Sequence, residues 1–380
     1  MRVLYIIDSL APAGAERSLV SMAPHYVKRG VDLDVAFVVQ RDGLEHELRT
    51  AGVAVHSLAG TGGAVGAINR ARALIGSSRP NLVHTTLFAA NQIGRVAARL
   101  RRTPVVSSLV NTPFGAAQLD DPHLRPWRTR SALAVDIATS RLVRRFHAVS
   151  EEVATTMSAR LHVPRDRIDV VPRGRDSARL GERSPDRRRR ARVALGIGDH
   201  TKVLLAVARH EYQKGLDVLV AAVDELCRDH GDLLLLVAGR SGAQTSELRE
   251  QTARYGLEGS VRFLGTHDDV PALLCAADVF VFPSRWEGSP GAVIEAMALE
   301  TPIVASDIPS VREVVADARG ARLVPVEDHR ALARAIAQVL DSPDATDELR
   351  ARFLSALTVE KSVDRMMAFY ERALSGATAP

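Results

Sequence analysis

Short apolar runs alternate with amphipathic stretches along this chain. Val3-Leu4-Tyr5-Ile6-Ile7 has the pattern of a strand buried on both faces. Residues 16–29 then carry Leu19, Val20, Ala23 and Val27 at helical spacing, and Gly30 follows as a stop. Val35-Ala36-Phe37-Val38-Val39, Val53-Ala54-Val55, Leu82-Val83-His84 and Val105-Val106-Ser107 predict further short strands, with helical stretches between several of them. Alternating β and α units of this kind predict a parallel sheet covered on both faces.

The pattern then restarts. Val203-Leu204-Leu205-Ala206-Val207 predicts a strand and residues 216–229 a helix. Further strands are expected at residues 233–237, 261–265, 279–283 and 302–305. The sequence thus predicts an α/β chain with two doubly wound sheets. Between them, residues 176–198 are polar and include Arg187-Arg188-Arg189-Arg190. The expected division is a first domain over 1–180, a linker over 181–198, a second domain over 199–360, and a final helix over 361–380 returning to the first domain.

Composition adds bounds. At 380 residues, 46% hydrophobic and 25% charged, the chain is long enough for two cores without disulfides. Cys227 and Cys275 match no metal-ligand or redox spacing and read as ordinary buried thiols. Only five apolar residues follow Met1-Arg2 before Asp8, too few for a secretory leader, and no stretch reaches a spanning length. A cytoplasmic location is the expectation. The net charge of +5 reads first as an Arg-rich, Lys-poor composition and second as a preference for anionic partners. The arginine run reads as a solvated helix face, and with aromatics at 4% there is no case for nucleic acid. Residues 125–145 mix Trp127, Leu133, Val135, Ile137, Leu142 and Val143 with arginines. A surface helix packed on its own domain is the simpler reading there, and contact with an anionic membrane face the alternative.

Two segments carry chemistry. In Pro283-Ser284-Arg285-Trp286-Glu287-Gly288-Ser289-Pro290-Gly291-Ala292-Val293-Ile294-Glu295 a strand ends, a glycine-containing loop follows, and a helix starts near Pro290. The free N–H groups of a helix start suit a phosphate, and carboxylates accept from sugar hydroxyls. In Val207-Ala208-Arg209-His210-Glu211-Tyr212-Gln213-Lys214-Gly215 the cations Arg209 and Lys214 follow a strand, on the edge where open α/β sheets bind ligands. Two cations there can neutralise a diphosphate without a metal. No His, Cys or Asp cluster has metal-ligand spacing, and Asp32-Leu33-Asp34 beside a strand is not read as a metal site. His84 and His147 read as local hydrogen-bonders.

These segments resemble the retaining GT-B glycosyltransferases of family 4, with Arg209, Lys214-Gly215, Glu287 and Glu295 on the family's Gly-Arg…Lys-Gly and Glu-x7-Glu motifs. Ala208 stands where the family usually has glycine. Ala13-Gly14-Ala15-Glu16 resembles the family's Gly-Gly-Ala-Glu loop, and Ala148-Val149-Ser150-Glu151 and Val171-Pro172-Arg173-Gly174-Arg175-Asp176 its closing segments of the first domain, with Arg173 for the usual Asn. The resemblance implies two facing Rossmann-like domains with a cleft between them. It implies an NDP-sugar as co-substrate, a hydroxyl acceptor, no metal requirement and retention at the anomeric carbon. Arg209 and Lys214 would hold the donor diphosphate, Glu295 the ribose and Glu287 the transferred sugar. Gly288, Ser289, Gly291, Ala292 and Val293 would supply the loop and helix start. Gly239 and Gly265 would flank the nucleotide, and Gly14 would admit donor phosphate or acceptor. Asn111 stands where the family commonly has a histidine; an amide can bond a hydroxyl but cannot carry a proton.

The rivals are separable. A nicotinamide oxidoreductase needs G-x-G-x-x-G after a first strand, and neither half has it. A phosphorylase, a nucleotide-sugar epimerase or a non-catalytic partner subunit of the same fold are the nearer alternatives.

Overall fold

The computed structural model describes residues 1–41, 43–112, 126–229 and 231–376. Arg125 and residues 377–380 of the expected final helix lie outside these. The chain forms two compact units, one of residues 1–176 and 358–380, the other of 177–357.

The first unit is built on a seven-stranded sheet, all pairs parallel, of order β3-β2-β1-β4-β5-β6-β7. The strands are β1 Arg2–Ile7, β2 Asp32–Phe37, β3 Ala54–Ser57, β4 Leu82–Thr86, β5 Val105–Leu109, β6 Arg145–Ala148 and β7 Ile168–Val170. The helices are α1 Gly14–Lys28, α2 Glu45–Thr50, α3 Gly63–Ser78, α4 Phe88–Arg101, α5 Pro126–Ser140 and α6 Glu151–Leu161. Alternation along β1 sorts its neighbours. Val3, Tyr5 and Ile7 join the core shared with α1. Leu4 and Ile6 join that of α3 and α4. Ser150 caps α6 by accepting from the Val153 amide, and Asp8 Oδ1 accepts from the Ala90 amide in the first turn of α4 at 2.7 Å.

The second unit repeats the scheme with six parallel strands, β10-β9-β8-β11-β12-β13. They are β8 Lys202–Val207, β9 Leu233–Ala238, β10 Val261–Gly265, β11 Val279–Phe282, β12 Ile303–Ser306 and β13 Ala321–Val324. Its helices are α7 Ser177–Leu180, α8 Pro185–Ala194, α9 Leu216–Asp229, α10 Thr245–Arg254, α11 Val270–Ala276, α12 Gly291–Ala298, α13 Pro309–Val315, α14 His329–Asp341 and α15 Asp347–Ala356. β9 is buried along its whole length, as a strand covered on both faces must be.

Residues 181–198, which the sequence reads as linker, fold within this second unit. α8 starts at a Ser184 cap, and its arginines are divided between two tasks. Arg188 pairs with Asp278 at 2.7 Å and donates to the Ala277 carbonyl. Buried Arg192 donates to the carbonyls of Ala276, Gly198 and Thr201. Cations at the carboxyl end of α11 satisfy carbonyls that a helix leaves open. Arg189 and Arg190 are exposed.

The chain returns to the first unit at α16, Val359–Ser375. Val359, Val363, Met366, Phe369 and Tyr370 enter the same core as α1. The outgoing and returning segments run side by side. Arg175 and Thr358 form a parallel bridge, and the Val359 amide donates to the Arg175 carbonyl at 2.9 Å. Gly174 permits this contact, because a Cβ there would lie 2.2 Å from the Thr358 carbonyl oxygen.

Cys275 is buried and Cys227 half-buried. Asp32 pairs with Arg2 at 2.5 Å, and Asp34 lies 3.5 Å from His56. No helix among the described residues is long and apolar enough to cross a membrane.

Candidate functional site

In a sheet of this order, the strand direction of travel reverses between the first and fourth strands, and loops leaving the two diverge to open a crevice. In the second unit those strands are β8 and β11, and both chemistry-bearing segments of the sequence leave from them. Residues 208–215 follow β8 and residues 283–290 follow β11.

The two loops are locked together. Gly215, at φ +60°, brings its backbone so close to Pro283 that a Cβ would sit 2.1 Å from the Pro283 carbonyl oxygen. The Arg285 amide donates to the Gln213 carbonyl, and Gln213 Nε2 to the Trp286 carbonyl, both at 2.8 Å. The Arg285 guanidinium stacks 3.9 Å over the Tyr212 ring, pairs with Asp217 at 2.7 Å and with Glu327 at 2.8 Å, and donates to the Tyr212 carbonyl. Burial alone would lower its pKa, but these carboxylates raise it, so the clamp stays charged.

Within that frame Lys214 Nζ pairs with Glu287 Oε1, and Ser284 Oγ donates to the same oxygen at 3.1 Å. The two side chains are only 15% and 9% exposed, so the pair is held in place and shielded from solvent. α12 begins directly after, with Pro290 at its N-cap and no side-chain cap. Its first N–H groups lack intrahelical acceptors, a place suited to an anion. Gly288 is buried, Ser289, Gly291 and Ala292 are half-buried, and Val293 is in the core. Glu295 is half-buried on α12.

Arg209 is different. Its side chain is 44% exposed and its nearest acid, Glu211, is 3.8 Å away. Gly239 directly follows β9 and Gly265 ends the adjacent β10, and the Gly239 amide donates to the Gly265 carbonyl at 2.8 Å. A Cβ on Gly239 would lie 1.8 Å from the Ala208 carbonyl oxygen, so the loop after β8 passes directly over it. His210 is buried beneath, with Nδ1 3.1 Å from Thr245 Oγ1 and its ring edge-on to Phe263.

Asn111 and Gly14 belong to the first unit. Asn111 is exposed, two residues past β5. Gly14 is the first residue of α1, and a Cβ there would lie 3.1 Å from Arg173 Nη1. His84 and His147 form a buried relay of hydrogen bonds across three strands. His147 Nε2 can only donate to the Val171 carbonyl, at 3.0 Å, so in the neutral ring Nδ1 accepts from Ser108 Oγ at 2.8 Å. Ser108 must then accept from His84 Nε2 at 2.7 Å, and His84 Nδ1 from the Tyr370 hydroxyl of α16 at 2.6 Å. Burial lowers both histidines, His147 to about 4, which keeps them neutral.

Sequence profiles of two families cover the chain. The profile described as Glycosyltransferase Family 4 matches residues 12–179, and that described as Glycosyl transferases group 1 matches residues 187–356. The lipopolysaccharide core biosynthesis mannosyltransferase LpsB of Rhizobium meliloti is 31% identical over 240 residues, 60% of this chain and 67% of that protein. The chain is a family 4 glycosyltransferase. A D-inositol 3-phosphate glycosyltransferase of Jonesia denitrificans is 29% identical over 308 residues, 77% of this chain and 72% of its own. Among solved structures, HepE of Anabaena in complex with UDP-glucose superposes with a TM-score of 0.85 at 20% identity, over 98% of this chain and 99% of that one. The fold of this glycosyltransferase is GT-B, with a Rossmann-like domain in each unit.

In this glycosyltransferase the second unit brings Lys214, Glu287 and the start of α12 together. Arg209, Gly239 and Gly265 line the same sheet edge. The sequence alone did not single out Ser284, Tyr212, Asp217 or the Arg285 clamp. Arg285 stands two residues before Glu287, and the nearest signal is its position on the flank of the Glu-x7-Glu segment.

Proposed function

We propose that this enzyme transfers a hexose-type sugar from an NDP-sugar to an acceptor hydroxyl, with retention at the anomeric carbon. The observation that supports it most is the shielded Lys214–Glu287 pair beside the uncapped start of α12. A cation, a carboxylate and a row of backbone N–H groups in one crevice suit a diphosphate and a sugar bound side by side. Arg209 and Lys214 take the diphosphate, Glu287 the sugar hydroxyls and Glu295 the ribose hydroxyls. Gly288, Ser289, Gly291, Ala292 and Val293 furnish the phosphate-facing backbone, and Gly239 and Gly265 flank the nucleotide. Gly14 and Asn111 serve the first unit's side of the reaction.

The acceptor oxygen forms its bond to the anomeric carbon on the face the diphosphate leaves. The acceptor proton passes to the departing phosphate oxygen. Asn111 carries no proton, so its part is to position a hydroxyl. Arg209 and Lys214 balance the charge on the leaving group, and we propose that no added metal is required. HepE was solved with UDP-glucose, and LpsB is named for mannosyl transfer, which supports a hexose donor. Exposed Trp127 and Val135 with Arg130 on α5 are the proposed contact with an anionic membrane face, should the acceptor be lipid-linked.

The test is a panel of NDP-sugars incubated with the enzyme and chelator, followed for NDP release, with the anomeric configuration of the released or transferred sugar read by NMR. Retained configuration with NDP release is expected. Inverted product refutes the retaining mechanism. Sugar phosphate formed from a glycan and inorganic phosphate would establish a phosphorylase, and an altered sugar still on NDP an epimerase.

A further inference from the structure

In the second unit the loops leaving β8 and β9 are laced together. The His210 backbone N–H donates to the Arg240 carbonyl at 3.3 Å, and the Gln244 backbone N–H to the His210 carbonyl at 3.0 Å. Gly242 lets the loops close, since a Cβ there would lie 2.5 Å from the His210 carbonyl oxygen. The His210 ring reaches Phe263 of β10, two residues before Gly265. This corner therefore spans the exits of β9 and β10, where the proposed function sets the nucleotide between Gly239 and Gly265.

Two buried side chains in the corner keep an unpaired atom. Gln244 is 6% exposed, and its Oε1 is shut off from solvent without a hydrogen-bond partner. It stands at the N-cap of α10 and makes no side-chain cap. His210 is 2% exposed, and its Nε2 has no partner either. Leaving a buried polar atom unpaired is unfavourable, so two in adjoining residues call for a group that enters to pair with them.

The tautomer of His210 follows from its neighbour. Thr245 Oγ1 accepts from the Gly242 N–H at 2.9 Å and donates its one proton to the Gly242 carbonyl at 3.0 Å. His210 Nδ1, 3.1 Å from that oxygen, must then donate to it. Nε2 is left as a bare acceptor. Burial and the nearby Arg249 lower the pKa of the ring, which keeps it neutral. Gln244 adds a second acceptor, Oε1, and the donor Nε2 of the same amide.

Two acceptors and one donor select among bases, which proteins read along the Watson–Crick edge. Guanine presents two adjacent donors there, the 2-amino group and N1–H, beside the acceptor O6. Uracil and thymine present one donor between two acceptors, and adenine and cytosine also offer one donor. We propose that His210 and Gln244 read guanine. His210 Nε2 accepts from the 2-amino group, and the Gln244 amide pairs with N1–H and O6. This rests on the reading of the second unit as an NDP-sugar site, and it makes the donor a GDP-sugar.

The test titrates the full chain by calorimetry with GDP, IDP, UDP and ADP. IDP keeps N1–H and O6 and lacks only the 2-amino group. The proteins are wild type, His210→Leu and Gln244→Met, which remove the polar atoms at similar volume. Wild type should bind GDP about tenfold or more tighter than each of the other three. In His210→Leu the preference for GDP over IDP should vanish. Gln244→Met should weaken GDP and IDP together by about tenfold. Far-UV circular dichroism and Trp286 fluorescence verify that each variant is folded. UDP, ADP or IDP binding wild type as tightly as GDP overturns the proposal. So does a preference for GDP over IDP that survives in folded His210→Leu, or unchanged GDP affinity in folded Gln244→Met. In each of those cases the NDP-sugar reading stands. If none of the four binds wild type, that reading falls and this one with it.

Discussion

Replacing Lys214 with alanine removes one partner from a shielded ion pair and leaves the Glu287 carboxylate with Ser284 alone. Breaking such a pair costs about 3–5 kcal/mol when fully buried. Lys214 is 15% exposed, so water can replace part of what is lost, and about 3 kcal/mol is expected for the second unit. The double variant Lys214→Met, Glu287→Gln removes both charges and keeps the volume, so it should recover to within about 1 kcal/mol of wild type. Turnover should behave differently. Both variants lack the cation proposed to face the leaving group, and both should fall by about 10²-fold or more. The chain has two tryptophans, Trp127 in the first unit and Trp286 in the loop beside Glu287. In a Trp127→Phe background, Trp286 fluorescence during urea unfolding reports the second unit alone. NDP release gives the rate. A Lys214→Ala protein as stable as its parent would mean that the pair is not shielded as described. A double variant with restored turnover would show that Lys214 does not act on the diphosphate.

Gly215→Ala should destabilise the second unit by more than about 2 kcal/mol and abolish NDP protection, because φ +60° and the Pro283 carbonyl both oppose a Cβ; a mild loss in the same urea assay would refute the loop lock. NDP or an NDP-sugar should raise the melting temperature and NAD should not; protection by NAD alone would reverse the assignment. His147 is neutral in the folded state with its pKa lowered to about 4, against 6.5 when unfolded. Its contribution is therefore complete above pH 6.5 and lost as pH falls toward 4, by about 3 kcal/mol in all, with His84 acting in the same direction. Unfolding of the first unit, followed by Trp127 fluorescence in a Trp286→Phe background, should show this slope, and His147→Gln should flatten it; a wild-type profile unchanged from pH 7 to 4.5 would contradict the buried relay.

The parallel strands were the most legible part of the sequence. Runs such as Leu233-Leu234-Leu235-Leu236-Val237 can be satisfied only by burial on both faces, and β9 is buried throughout. β13 was not foreseen, because Ala321-Arg322-Leu323-Val324 is an edge strand with three residues only partly buried, and its pattern carries no such run. The apolar pattern extends β2 to Val38 and Val39, but the strand ends at Phe37 and their amides turn back to the Ile7 and Asp8 carbonyls. In sequence α8 has the pattern of a linker because its arginines look solvated. Their carbonyl partners on α11 are more than 80 residues away, a distance local pattern cannot span. For the same reason the Glu-x7-Glu segment and Arg209…Lys214 stood out, whereas the Arg285–Tyr212 stack and the His84–Tyr370 bond did not. Those depend on pairs 73 and 286 positions apart.

The side-by-side crossing at Arg175 and Thr358 makes the second unit an insertion in the first. This sets an order for synthesis. Residues 177–357 are contiguous, and the ribosome completes everything that unit needs before α16 is made. The first unit begins earlier and finishes later, because Phe369 and Tyr370 fill its core and His84 waits for the Tyr370 hydroxyl. A nascent chain arrested before α16 therefore carries a finished second unit and an open first one. Damage to α16 therefore falls on the unit that β1 begins.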